Sequence, residues 1–137
     1  MKNYFLTIAG LFGASGVALG ALGAHFLKAK MQAGTITQEQ LAGFDTATKY
    51  QLFHAIVLLL LFFINKDKKL KWLTISANLF IIGTILFSGS LYLLSTRSLT
   101  GLEHITFLGP ITPLGGIALI GGWICIIIQS FNVTKNN

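Results

Sequence analysis

The sequence carries three histidines, His25, His54 and His104, and they are the first place to look for chemistry. Imidazole exchanges protons near neutral pH and ligates metal ions and haem iron. Tyr50 stands four residues before His54, on the same face of any helix that holds both. Ser88, Ser90, Tyr92 and Thr112 add hydroxyls further along. A metal or haem site would need His25 and His54 to converge from separate segments, with Asp45, Glu103 or His104 completing the ligand set. No HxH or HxxxH spacing occurs to hold a metal locally. A proton or small-solute path would use the same histidines, since ionisable groups inside membranes mark such paths. A hydrolase could pair Ser88 or Ser90 with His54, but there is no GxSxG elbow and no carboxylate within the apolar runs. No Walker or dinucleotide fingerprint is present either. The plainest reading is structural: these groups hydrogen-bond one another and hold helices in register.

The elements that must position these residues follow from composition. The chain has 137 residues, is 53% hydrophobic and only 10% charged, with a mean hydropathy of +0.73. A soluble domain carries roughly 25% charged residues, so this chain cannot coat a soluble globule. Disordered chains are polar and highly charged, and one cysteine, Cys125, builds no disulfide scaffold. In an apolar run Cys125 reads as a small inert hydrophobe.

Charged residues are missing from Asn3 to Leu27, Tyr50 to Asn65, Trp72 to Thr96 and Ile105 to Thr134. About 20 apolar residues span a bilayer. The pattern predicts an all-α, four-helix transmembrane bundle as a single domain over 1–137, with helices near 3–27, 38–64, 72–96 and 105–132. A signal peptide at the N-terminus is the rival for the first segment, but that run is long for one. A soluble protein built of very apolar helices is the other rival, and the length of the runs opposes it.

Thr37 and Gln40 fit a capping box that starts the second helix, and Asp45 with Lys49 fits an ion pair one turn apart. Pro110 and Pro113 predict a broken or kinked start to the fourth helix, with regular helix from about Thr112. Lys2, Lys66, Lys68, Lys69, Lys71 and Lys135 would share one side, against Lys28, Lys30, Lys49 and Arg97 on the other. That bias predicts both termini in the cytoplasm. All three histidines then fall toward the outer side. The net charge of +6 is explained by a basic turn beside anionic headgroups and calls for no nucleic acid.

Glycine is the other patterned residue. Gly13, Gly16, Gly20 and Gly23 in the first helix, with Gly89, Gly115 and Gly116 later, are candidate helix-packing positions, and Gly16 with Gly20 forms a GxxxG pair. The surface so formed could serve packing within the bundle or contact with a second copy or another membrane protein. The lipid bilayer is the expected partner and no cofactor is expected.

Four stretches are similar to the family of small membrane proteins known as domain of unknown function 423, which includes the eukaryotic transmembrane protein 256. They are Gly20-Ala21-Leu22-Gly23-Ala24-His25, the run from Phe44 to Ala55, the run from Leu86 to Tyr92, and Thr112-Pro113-Leu114-Gly115-Gly116 followed by Gly122-Trp123. The family's motif positions fall here on His25, Tyr50, His54, Ser88, Gly89, Ser90, Tyr92, Pro113, Gly115, Gly116 and Trp123. Asp45 stands where the family often has Glu, and His104 belongs to no motif. The resemblance implies four transmembrane helices and a bacterial plasma-membrane location, and no established activity. The expected function is therefore a non-enzymatic membrane-integrity, assembly or accessory role. The alternatives are a small channel or transporter with a polar site around His25 and His54, or a haem- or metal-binding membrane protein.

Overall fold

The computed structural model describes residues 1–102 and 104–134. Glu103 and Lys135, which entered the ligand and charge arguments, lie outside them. α1 (Tyr4–Leu22) continues through a π-helical turn (Gly23–Leu27) into α2 (Lys28–Gln32). α3 (Gln38–Asn65), α4 (Lys71–Thr100), a 3-10 turn (Ile105–Leu108) and α5 (Ile111–Thr134) complete the order. Four stretches, Tyr4–Gln32, Gln38–Asn65, Lys71–Thr100 and Ile111–Asn132, are long and apolar enough to cross a membrane. At 1.5 Å per residue α3 is about 42 Å long, against a hydrocarbon layer of about 30 Å.

The helix boundaries have local causes. Thr37 Oγ1 accepts from Gln40 N at 3.1 Å, and Gln40 Oε1 accepts from Thr37 N at 2.8 Å, which is the expected capping box. Asp45 and Lys49 pair at 2.6 Å. Between α3 and α4 the turn is held by Asn65: its Nδ2 donates to Leu70 O at 3.0 Å and its Oδ1 accepts from Leu70 N at 2.5 Å. α4 stops at Gly101, whose φ of +67° is left-handed and costs glycine nothing. The start of α5 is broken as the prolines require: a 3-10 helix over 105–108, then a turn at Gly109 and Pro110, then helix from Ile111. Pro113 sits in the first turn of α5, where a missing N–H leaves no bond unmade.

Consecutive spans pack on one another: α1 on α3, α3 on α4, and α4 on α5, the last pair most extensively. The main core joins Phe5 and Ala9 to Leu58, Leu61, Ala77, Phe80 and Leu119. A smaller one forms at the other end from Leu27, Ile36 and Phe44. The central helices are the more covered. Of the apolar stretch in each span, 50% is buried in α3 and 33% in α4, against 17% in the first span and 22% in α5.

Glycines make these contacts by letting side chains or backbone approach closely. A Cβ at Gly16 would lie 2.7 Å from Leu52 Cδ2, at Gly20 3.2 Å from Thr48 Cγ2, and at Gly23 3.0 Å from Phe44 Cδ1. These three therefore seat α1 on α3. On α4 and α5, Leu119 fills the space over Gly83 and Phe80 the space over Gly122. A Cβ at Gly115 would fall on the Phe87 backbone. Gly13 and Gly89, also expected to pack, have open space where a Cβ would stand. A Cβ at Gly116 would make ordinary contact with the Phe87 ring at 3.9 Å.

Candidate functional site

The polar residues expected to form one cluster are distributed over three sets. The first ties α1, α3 and α4 together through Gln51, which is buried. Its Nε2 donates to Phe12 O at 2.8 Å and to Ser15 Oγ at 2.8 Å. Its Oε1 accepts from Tyr92 OH at 3.0 Å, and the same hydroxyl lies 3.4 Å from Thr48 Oγ1. The second set joins α4 to α5, where Ser90 Oγ and Thr112 Oγ1 lie 2.6 Å apart.

The third set surrounds His54, which is 2% exposed. Its Nδ1 is 2.8 Å from Tyr50 O on the preceding turn. A carbonyl only accepts, so Nδ1 carries the proton of that bond. Four aromatic rings enclose the imidazole: Phe80 at 5.1 Å, Phe53 at 5.4 Å, Tyr50 at 6.0 Å and Trp123 at 6.5 Å between centroids. Its Nε2 has no hydrogen-bond partner among the described residues, and neither do the buried hydroxyls of Thr84 and Ser88. α3 and α5 flank α4 here, and a cavity of about 440 Å³ opens between them, lined by Lys49, Tyr50, Phe53, His54 and Trp123.

His25 does not join this set. It is exposed, in the π-helical turn that leads into α2. The pairing of Gly23 with Phe44 and of Gly16 with Leu52 sets the antiparallel register of α1 on α3. That register puts His25 roughly 18 Å from His54 along the helix axis. His104 is exposed in the turn before the 3-10 segment. Among the described residues no three His, Cys, Asp or Glu side chains come together. Ser90 is engaged with Thr112 and the Phe87 carbonyl, and no hydrogen bond joins His54 to Ser88 or Ser90. The shared His25–His54 site and the Ser–His pair are thus not formed, because these side chains lie at different depths or on different helix faces.

Residues that sequence reasoning passed over carry much of the cohesion. Gln51 and Ser15 were hidden inside charge-free runs, although an amide in a span is itself a signal of interhelical bonding. Gln40 Nε2 reaches Ser98 Oγ at 3.0 Å. Ser76 Oγ donates to Gly122 O at 2.8 Å, deep between α4 and α5. The half of the bundle near the α3–α4 turn also holds buried polar groups: Asn65 and Ser76 are both fully buried there.

Comparison with known proteins bears on this arrangement. The family described as "Protein of unknown function (DUF423)" matches residues 19–116, which include Gln51, His54, Tyr92 and Thr112. A UPF0382 membrane protein of Haemophilus influenzae is 39% identical over 132 residues, covering 96% of each chain. The UPF0382 inner membrane protein YgdD of Escherichia coli K12 is 31% identical, covering 98% of this chain and 94% of the other. The UPF0382 membrane protein YwdK of Bacillus subtilis is 36% identical over 115 residues, 83% of this chain and 85% of the other. No solved structure matches. With four apolar spans and relatives of this likeness along nearly its full length, the chain belongs to the DUF423 family of membrane proteins.

Proposed function

We propose that the protein works without chemistry of its own, as an accessory or assembly protein of the bacterial plasma membrane that acts through helix contact. Both termini are placed in the cytoplasm in this reading, on the strength of the lysine-rich α3–α4 turn. The observation that carries it is the division of small residues on α1. Gly16, Gly20 and Gly23 are used up against α3. Gly10, Ala14, Val17 and Ala21, at spacings of four, three and four, form a separate exposed stripe. Among the described residues, apart from the helix's own adjoining backbone, nothing lies within 4 Å of a Cβ added at Gly10 or Gly13. Small residues toward lipid gain little, whereas toward another helix they allow close backbone approach. The surface therefore suits a helix of a second copy or of another membrane protein.

The test separates the two faces of α1. Association is measured in membranes by cross-linking through a cysteine at Val17 in a Cys125→Ala background. Gly10→Leu with Ala14→Leu is expected to lower cross-linking while leaving the fold intact. Gly16→Leu is expected to unseat α1 from Leu52 and destabilise the monomer itself. A protein that cross-links to no membrane polypeptide at any protein-to-lipid ratio would overturn the reading. So would cross-linking that Gly10→Leu with Ala14→Leu leaves unchanged.

A further inference from the structure

A different observation carries the argument beyond helix contact. We propose that the groove between α3 and α5 binds a lipid-soluble aromatic alcohol, a phenol or hydroquinone head on an apolar tail, whose hydroxyl donates to His54 Nε2. The groove exists because α3 and α5 both pack on α4 while making no extensive contact with each other. Its cavity of about 440 Å³ is within the range of small-molecule sites, which are mostly apolar with a few placed polar groups. Phe53 and Trp123 are partly exposed at its sides, within apolar spans, so the approach is from the hydrocarbon and not from water.

His54 sets the chemistry of the head group. Its Nδ1 proton is committed to Tyr50 O. Nε2 is the other nitrogen of that ring, on a residue that lines the groove. In the neutral imidazole that nitrogen is an acceptor, and it is buried without a partner. A buried acceptor is costly to leave unmatched, and only a donor matches it. The surrounding rings favour a flat aromatic body, through offset or edge contacts. Lys49 at the rim is neutralised by Asp45 at 2.6 Å, so the rim does not select an anionic phospholipid head. The donor requirement gives a sharp expectation. The hydroxyl form of a ring binds, and the same ring with its hydroxyl methylated or oxidised to a carbonyl does not.

The experiment uses the full chain in phosphatidylcholine nanodiscs with 15N-labelled histidine, titrated with 2-naphthol and, separately, 2-methoxynaphthalene. 2-Naphthol is expected to bind saturably and to move the 15N resonance of His54 Nε2 while His25 and His104 stay in place. 2-Methoxynaphthalene is expected to bind at least tenfold more weakly. Calorimetry on His54→Phe, which keeps a ring and removes the acceptor, is expected to show a loss of at least tenfold for 2-naphthol alone. The spectra of the unaltered chain test the proposal even if that variant does not fold. Equal binding of the two probes, equal shifts at all three histidines, or a co-purified phospholipid that 2-naphthol does not displace from the groove would each overturn it.

Discussion

Replacing Gln51 by methionine tests whether the Gln51 network holds three helices together. Methionine keeps the unbranched shape and nearly the volume of glutamine, so the change removes hydrogen bonds without opening a large cavity. Three interhelical bonds disappear, to Phe12 O, Ser15 Oγ and from Tyr92 OH. Polar bonds between membrane helices average about 0.6 kcal/mol each, which gives roughly 2 kcal/mol, or about a thirtyfold change in the folding equilibrium. The loss does not grow larger, because the former partners keep other bonds. Ser15 Oγ still donates to Leu11 O at 2.6 Å, and Tyr92 OH still has Thr48 Oγ1 within 3.4 Å. The assay is reversible unfolding in mixed micelles with increasing denaturing detergent, followed by tryptophan fluorescence. Tyr92→Phe and the double variant close a mutant cycle. A coupling of about 0.5–1 kcal/mol between Gln51 and Tyr92 is expected. A Gln51→Met protein within about 0.3 kcal/mol of the parent, or a coupling of zero, would refute the reasoning.

Gly115 of α5 and Gly89 of α4 offer a contrast, and topology offers another check. Gly115→Ala, whose new methyl meets the Phe87 backbone, should destabilise by about 2–3 kcal/mol in the same unfolding assay. Gly89→Ala, which meets nothing within 4 Å, should be neutral or slightly stabilising through helix propensity. For topology, single cysteines at Gln38 and Lys69 in a Cys125→Ala background should react with an impermeant maleimide from opposite sides of the membrane. Gln38 is expected to label in intact cells and Lys69 only once they are opened; labelling of both from one side would remove the four-span arrangement.

What the sequence determined by itself is one-dimensional. The gaps between charged residues marked four spans, because a charge in hydrocarbon is costly wherever the helix points. The Thr37–Gln40 box, the Asp45–Lys49 pair and the proline-broken start of α5 were equally legible, since each depends on neighbours within a few residues. Which face of each helix meets protein was not. The glycines of the first span look alike in sequence, yet Gly16, Gly20 and Gly23 seat it on α3 while Gly10 and Gly13 have open space where a Cβ would stand. His25 and His54 share a residue type, yet one is exposed and the other sits among four aromatic rings. Gln51 becomes the centre of the polar network only because α1 and α4 both reach it. In a soluble helix the polar face turns to water and so announces the buried one. In these spans lipid and protein interior are both apolar, so the rotation of each helix is left to the fit of its side chains against its neighbours, and only the tertiary structure decides it.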